Sequence, residues 1–440
     1  MATREGFALK KKYWNECDPE TPLTPQDPRY VNVDADMPDA RGQSGVDRLA
    51  KMIEVADEPV CAFFGGLPGS GKSTEINRLA DRLRAENAAH LLPIVIDAEE
   101  MLDLHNPIAE ADILSMILYK ADAAVLDAEH KDPKQAMAEG PGARFWHWLT
   151  TTEVGVSSAE IGPSEFGVEA KVSADFKTNP SLRDRVRRRV SSHMTTFLRE
   201  AWELLLDMNR RARSYGYEGI VIIVDSLEKI NGLSTNWREV LASAEKVFGG
   251  GAPYLKLPVH IVYTVPPALV NRMSGSVFFL PMLKIRDREG NTAPGTEAAR
   301  QIIRNRVPDD YLAKLFGKAD LDERVSKLID WSGGYPREIL KLLQDCILEE
   351  NVDERSFRRI IARAGERFTR VVPDYAFPLL AQIALEKRLI FDGEEQRSIV
   401  DFMLQTNVIL RYQNDEPWVD LHPAVRAWKP MQDAIAKAQK

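Results

Sequence analysis

Val60-Cys61-Ala62-Phe63-Phe64-Gly65-Gly66-Leu67-Pro68-Gly69-Ser70-Gly71-Lys72-Ser73-Thr74 is the stretch that decides the fold. Residues 60–64 are a short apolar run with no alternation, the pattern of a parallel strand covered on both faces. Residues 66–73 then fit G-x-x-x-x-G-K-[ST] in full. Glycines let backbone N–H groups curl around an anionic phosphate without Cβ obstruction, and the start of the next helix adds its dipole. That helix is expected over residues 72–84, where Ile76, Leu79, Ala80 and Leu83 share one face. Gly66, Pro68, Gly69, Ser70 and Gly71 would shape the cradle. Lys72 would reach the β- and γ-phosphates, Ser73 would ligate Mg²⁺, and Thr74 would contact the α-phosphate side. The expected ligands are ATP and Mg²⁺.

A phosphate loop of this kind needs a carboxylate at the end of another strand to hold the metal through water. Residues 219–224 form a buried-strand pattern and Asp225 follows where the strand should end. An Asp there is otherwise a turn or cap residue. The position after it is Ser226, so the nearest acid able to activate water is Glu228, in Asp225-Ser226-Leu227-Glu228-Lys229. His260-Ile261-Val262-Tyr263-Thr264 is a third apolar strand, and the Thr264 hydroxyl is placed to feel a γ-phosphate. Strand propensity alone would also favour a threonine there. Arg272, between that strand and the next at 277–280, is a candidate arginine finger for a neighbouring subunit; Arg286, Arg288, Arg304 and Arg306 compete with it. Further on, Ser332-Gly333-Gly334-Tyr335-Pro336-Arg337-Glu338 opens a helix. Pro336 suits its first turn, and Arg337 at its start would face nucleotide.

Around these motifs the chain alternates strand and helix patterns, the signature of an α/β core with a mainly parallel sheet. A second strand is expected at 91–96 and helices at 111–126 and 237–248. Period-two alternation at 166–176, with the 154–156 stretch before it, predicts a hairpin inserted at about 153–178. One long basic helix is expected at about 182–214. The parts are then a Pro-rich extended arm at 1–45, the ATPase core at 46–292, a helical region at 293–368 and a C-terminal unit at 369–440. That last unit reads as helix 377–389, helix 394–404 and a hairpin turning at residues 414–416.

The order Gly66 to Ser73, Asp225 to Glu228, Thr264, then Gly334-Tyr335-Pro336-Arg337 resembles the AAA+/STAND group of P-loop ATPases, in the branch related to origin-recognition-type initiators. The resemblance covers about residues 40–430, and its nearest likeness is to compact bacterial ATP-binding proteins, some in regulatory or phage-defence loci. It implies a three-layer P-loop NTPase core with the Asp225 strand beside the P-loop strand, an α-helical lid and a winged-helix domain. It also makes residues 334–337 a Gly-x-Pro or second-sensor element, and places Arg41, in Arg41-Gly42, near adenine. Ser226 in place of the usual acid, the inserted hairpin, and a winged helix with no recognisable repeat array or effector domain following it depart from the group's pattern.

Composition narrows the function classes. The 440 residues are 44% hydrophobic and 28% charged, which suits two or three globular units. No apolar run approaches the ~20 residues of a membrane-spanning helix, and residues 1–12 are charged with no secretory pattern behind them. Cys17, Cys61 and Cys346 are too far apart for a disulfide framework or zinc site, so a cytoplasmic location is expected. A net charge of −8 argues against a surface that coats nucleic acid. Residues 370–440 carry nine Lys/Arg against ten acids, favouring protein contacts over DNA for that unit. Residues 183–213, by contrast, hold nine arginines against four acids, so Arg187-Arg188-Arg189 could meet phosphate or an acidic partner, though such runs are usually solvated faces. Trp146, Trp148 and His147 read as packing residues. The expectation is an ATP-hydrolysing switch that self-associates or engages a separate effector protein. A DNA-binding initiator or transposition-type regulator and a non-hydrolysing scaffold are the alternatives.

Overall fold

The computed structural model describes residues 4–131, 177–230, 232, 235–349 and 351–440. The expected hairpin stretch 154–176 and the segment Trp146-His147-Trp148 lie outside the described residues. The chain divides into two compact units, one comprising Val46–Gly65 and Leu79–Phe278, the other Met1–Gly45, Gly66–Arg78 and Phe279–Lys440.

The first unit is built on an α/β sheet. Its strands are β1 (Cys61–Gly66), β2 (Leu91–Asp97), β3 (Gly219–Asp225), β4 (His260–Val265) and β5 (Ser276–Leu280), in the order β2-β3-β4-β1-β5. The pairs β2–β3, β3–β4 and β1–β4 are parallel. Every residue of β3 is buried, as an unbroken apolar run in a sheet covered on both faces should be. Phe63, Phe248 and Tyr263 interlock, with Phe63 stacked on Tyr263 at 6.0 Å between ring centroids. The order overturns one expectation: the Asp225 strand is not beside the P-loop strand, because β4 lies between them. Composition explains this. All but the first residue of β4 are buried, which suits a strand paired on both edges, whereas β2 exposes Val95 and lies at the sheet's end in this order.

The expected single basic helix is two, Pro180–Ser192 and Met194–Ser214, separated at His193 with φ −136° and ψ 34°. Ser191, Ser192 and His193 are weak helix formers, and the His193 N–H closes the first helix on the Arg189 and Val190 carbonyls. Several of the arginines turn inward. Arg187 grips the buried Asp112 of helix Glu110–Ala128 through Nε and Nη2, at 3.0 and 2.6 Å. Arg211 bonds Glu129 at 2.7 Å and Asp122 at 3.2 Å. Much of this charge therefore joins helices to one another, and Arg187 is not presented to an outside phosphate.

In the second unit the first residues are helical, Arg4–Glu16, where an extended arm was expected; no proline interrupts the chain before Pro19. Gln344 Nε2 donates to the Trp14 carbonyl at 3.0 Å, docking this helix on helix Pro336–Leu348. The arm then enters a core, where Cys17, Val31, Val33 and Ala40 pack with Ile303, Leu328 and Leu343. Helices Gly295–Arg304, Asp309–Phe316, Leu321–Ser332, Pro336–Leu348 and Glu354–Thr369 supply the rest of that core. Beyond them, helices Phe377–Glu386 and Gly393–Gln405 precede an antiparallel hairpin of β6 (Ile409–Gln413) and β7 (Pro417–Leu421), and helix Lys429–Ala438 follows. No helix among the described residues is long and apolar enough to cross a membrane.

His422, at the end of this hairpin, is fully buried and stacked on Phe368 at 3.7 Å between ring centroids. Its Nδ1 accepts the Ala424 N–H, capping a short helix. Burial, with Arg367 adding to it, pushes the imidazole down to about 3. The unfolded chain protonates this histidine near pH 6.5 and the folded chain resists, so stability present above that pH is lost as pH falls. The slope is about 1.4 kcal/mol per pH unit below roughly 6.5. Urea midpoints measured from pH 7 to 5 should therefore fall less steeply in His422→Asn, which keeps a capping acceptor. Parallel slopes in the two proteins would refute the assignment.

Candidate functional site

From the end of β1 the chain turns through a loop whose Gly69 and Gly71 have φ of +75° and +97°, left-handed values that a side chain would strain. A Cβ on Gly69 would also lie 2.6 Å from the Tyr335 ring. Lys72 is 3% exposed and folds its Nζ onto the Gly66 and Leu67 carbonyls, both at 3.1 Å. The Ser70 Oγ is buried without a hydrogen bond. A glycine-shaped turn at a helix N-terminus, a lysine held on loop carbonyls and an unspent hydroxyl fit a phosphate ligand. Ser73 lies in the first turn of helix Lys72–Arg84.

Arg41 stands behind this loop, buried, its Nη2 donating to the Ser70 carbonyl at 3.2 Å and its Nη1 to Glu75 at 3.4 Å. It braces the loop rather than projecting into open space. Thr74 Oγ1 accepts the Leu23 N–H at 3.2 Å. One turn further, Arg78 bonds Glu75, Asp34 and Ser44. Beside these lies a polar cavity of about 700 Å³ lined by Asp34, Gly42, Ser44, Lys284, Gln413 and Asn414, among others.

Two other elements of the same unit reach the loop. The Arg337 N–H points to the Gly69 carbonyl at 3.4 Å, from a helix that Pro336 opens. Its guanidinium meets Glu20 at 2.9 Å. Burial pushes the Tyr335 phenol up to about 12, so the group beside Gly69 is neutral. From the C-terminal part, Asn407 Nδ2 donates to the Pro68 carbonyl at 3.1 Å, its backbone left-handed at φ +55°.

The other unit carries the candidate carboxylates. Asp225 ends β3 and its Oδ1 accepts the Ser226 N–H at 2.7 Å. Ser226 is left-handed, φ +67°, which turns the chain sharply into a 3₁₀ turn holding Glu228, 5% exposed. Thr264 Oγ1 accepts the Leu227 N–H at 2.9 Å, so this hydroxyl fixes the turn that carries Glu228. Arg272 lies between β4 and β5, ion-paired with Glu245 at 2.6 Å and with its side chain 10% exposed, so it would have to leave this pair to reach a neighbouring subunit. Its competitors are engaged too. Arg286 pairs with Asp330 and Arg304 with Asp309, Arg288 donates to the Glu386 carbonyl, and buried Arg306 donates to the Arg29 and Ile302 carbonyls.

No family model matches the chain, and no curated protein matches it. Among solved structures, the ORC1 protein of Aeropyrum pernix in complex with DNA aligns over 98% of this chain and 97% of that one, at 14% identity and a TM-score of 0.35. Cdc6p of Pyrobaculum aerophilum aligns over 97% and 98%, at 10% identity and 0.36. The Aeropyrum pernix ORC2 protein in ADPNP-ADP complexes aligns over 96% and 97%, at 11% identity and 0.33. Likeness of this degree carries no assignment of activity.

Four residues escaped the sequence reading. Asp97 is the register partner of Asp225 at the end of the adjacent strand, and the apolar run closed by an acid at 91–97 repeats the signal that identified Asp225. Glu75, three residues after Lys72, was legible by spacing. Glu20 and Asn407 were not, since each reaches the loop or its neighbouring helix across more than 300 residues of sequence.

Proposed function

We propose that this chain is an ATP-binding and ATP-hydrolysing switch of AAA+/STAND character, with residues 293–368 as its lid and 369–440 as a winged-helix domain. The observation that carries the reading is convergence on one phosphate cradle: Arg337 and Tyr335 meet Gly69, and Asn407 meets Pro68. A change in that loop is thereby felt in both the lid and the C-terminal unit.

On this reading the phosphates of ATP draw Lys72 away from the Gly66 and Leu67 carbonyls. Loop N–H groups from Gly69 to Ser73 receive the β-phosphate, Thr74 the α-phosphate and Arg337 the γ-phosphate. The polar cavity by Gly42 and Ser44 takes the nucleoside end, with Arg41 holding the loop in shape. Ser73 and Asp225 would hold Mg²⁺, whose charge offsets that of the phosphates. Glu228 orients the attacking water and accepts its proton as the γ-phosphoryl group leaves ADP, and Thr264 keeps Glu228 in place. Nucleotide state then governs association of copies of the chain or capture of an effector protein.

The test is turnover together with size. Glu228→Gln should slow hydrolysis by about 10²- to 10⁴-fold while retaining bound ATP, and normal turnover in that variant would remove the base assignment. Sizing the protein with and without a non-hydrolysable ATP analogue, and with and without duplex DNA, separates the readings. Analogue-dependent assembly without DNA supports the switch. Salt-sensitive, ATP-stimulated duplex binding would transfer the protein to the initiator reading, and stoichiometric ADP with no turnover would make it a scaffold.

A further inference from the structure

The arm contains a short segment that engages residues of the phosphate site. Asp18 turns the chain locally, accepting from the Glu20 N–H at 3.1 Å and the Thr21 hydroxyl at 2.7 Å. This presents Glu20 to two cations of helix Pro336–Leu348: Arg337 Nη2 at 2.9 Å and Lys341 Nζ at 3.7 Å. Three residues on, the Leu23 N–H donates to Thr74 Oγ1 at 3.2 Å, and the Leu23 carbonyl accepts from Asn77 Nδ2 at 3.0 Å. The segment thus meets the guanidinium assigned to the γ-phosphate and the hydroxyl assigned to the α-phosphate. A carboxylate on an arginine and a lysine is also the charge match a phosphate makes.

We propose that residues 20–23 are a built-in competitor for the triphosphate: Glu20 occupies Arg337, Leu23 anchors the segment through an N–H that Thr74 Oγ1 accepts while its O–H can still donate to the α-phosphate, and ATP gains its γ-phosphate contact only by displacing Glu20. The proposal rests on the nucleotide reading above and names a regulation of the same site. The flanks of the strap are fixed, since Cys17 on one side and Val31 and Val33 on the other are buried in the core. Movement is thereby confined to the stretch between them. The weak point is Glu20, whose side chain is 59% exposed. An ion pair this open to water contributes little, so a ligand with several phosphate charges can outcompete it. A monophosphate, lacking the group that reaches Arg337, leaves the Glu20 pair intact.

The experiment uses the full chain, a non-hydrolysable ATP analogue and AMP. Glu20→Gln should bind the analogue about two- to fivefold more tightly than the unaltered chain, with AMP affinity unchanged. In an Arg337→Ala background the same substitution should give no gain, because the competition acts through that guanidinium. Independently, amide exchange at Glu20 should quicken when the analogue is added and stay constant with AMP. Equal analogue affinity in Glu20→Gln, a gain that survives in Arg337→Ala, or slower Glu20 exchange on adding analogue would each overturn the strap while leaving the nucleotide site standing. Failure of the unaltered chain to bind the analogue would overturn the nucleotide reading itself and the strap with it.

Discussion

Lys72→Ala should reduce ATP affinity by about a hundredfold or more, roughly 3 kcal/mol. Lys72 is buried and its ammonium sits on the Gly66 and Leu67 carbonyls, so the cation is already held at the loop proposed to take the phosphates. Alanine removes the charge-assisted contacts to β- and γ-phosphate but leaves the glycine turn and the helix N-terminus in place. Residual binding should therefore resemble that of a nucleotide lacking those phosphates. Isothermal titration with ATP and AMP checks both halves: the variant should lose ATP affinity selectively. The free protein should melt below the parent, since Lys72 and Leu67 are buried and alanine leaves the Gly66 and Leu67 carbonyls without the lysine's hydrogen bonds. Unchanged ATP affinity would remove the site assignment altogether.

Gly334→Ala should produce the largest loss of stability. Gly334 has φ +79°, and a Cβ there would sit 1.8 Å from the Leu283 carbonyl oxygen and 2.8 Å from its carbon. That carbonyl belongs to a backbone segment whose own N–H donates to the Gly334 carbonyl at 3.0 Å, so neither chain can retreat without breaking the contact. The left-handed penalty and the overlap together cost about 2–5 kcal/mol. Adjacent Gly333 makes the comparison. Its φ is +64°, but its Cβ would meet the Leu410 and Pro423 side chains first, at 2.5 and 2.8 Å. Side chains yield more easily than backbone, so Gly333→Ala should lie lower in the same range. Thermal melts of both variants decide the ranking; a Gly334→Ala protein that melts with the parent would show that this turn opens freely. The turn directly precedes Arg337, so the milder variant should also weaken ATP binding more than AMP binding.

The sequence made the phosphate loop legible because its signal is local. Glycines, lysine and serine at fixed spacing after a strand leave little freedom, and the helix at Lys72–Arg84 and the strands carrying Asp225 and Thr264 followed from short patterns. Pairing was harder. Nothing between residues 61 and 265 announces that β4 separates β1 from β3; it emerges only when burial decides which strand tolerates an edge. Side-chain partners were hardest. Arg187 looked like a free cation in a basic run, yet its partner Asp112 lies 75 residues earlier. Thr264 looked only like a group awaiting phosphate, yet its oxygen also accepts the Leu227 N–H and so fixes the turn beside it. Roles set by distant partners are invisible to spacing.

The left-handed turn at Ser226 decides where the candidate water-activating carboxylate falls. With φ at +67°, the residue after Asp225 leaves the strand direction at once, so its side chain is spent on making a corner. The acid is then delivered two residues later, on the 3₁₀ turn at Leu227–Lys229. A search pattern that demands two neighbouring acids would pass this chain over. The position at the corner tolerates Gly, Asn or Asp most readily and rejects β-branched residues, so a valine there would unseat Glu228 without touching a single atom of it.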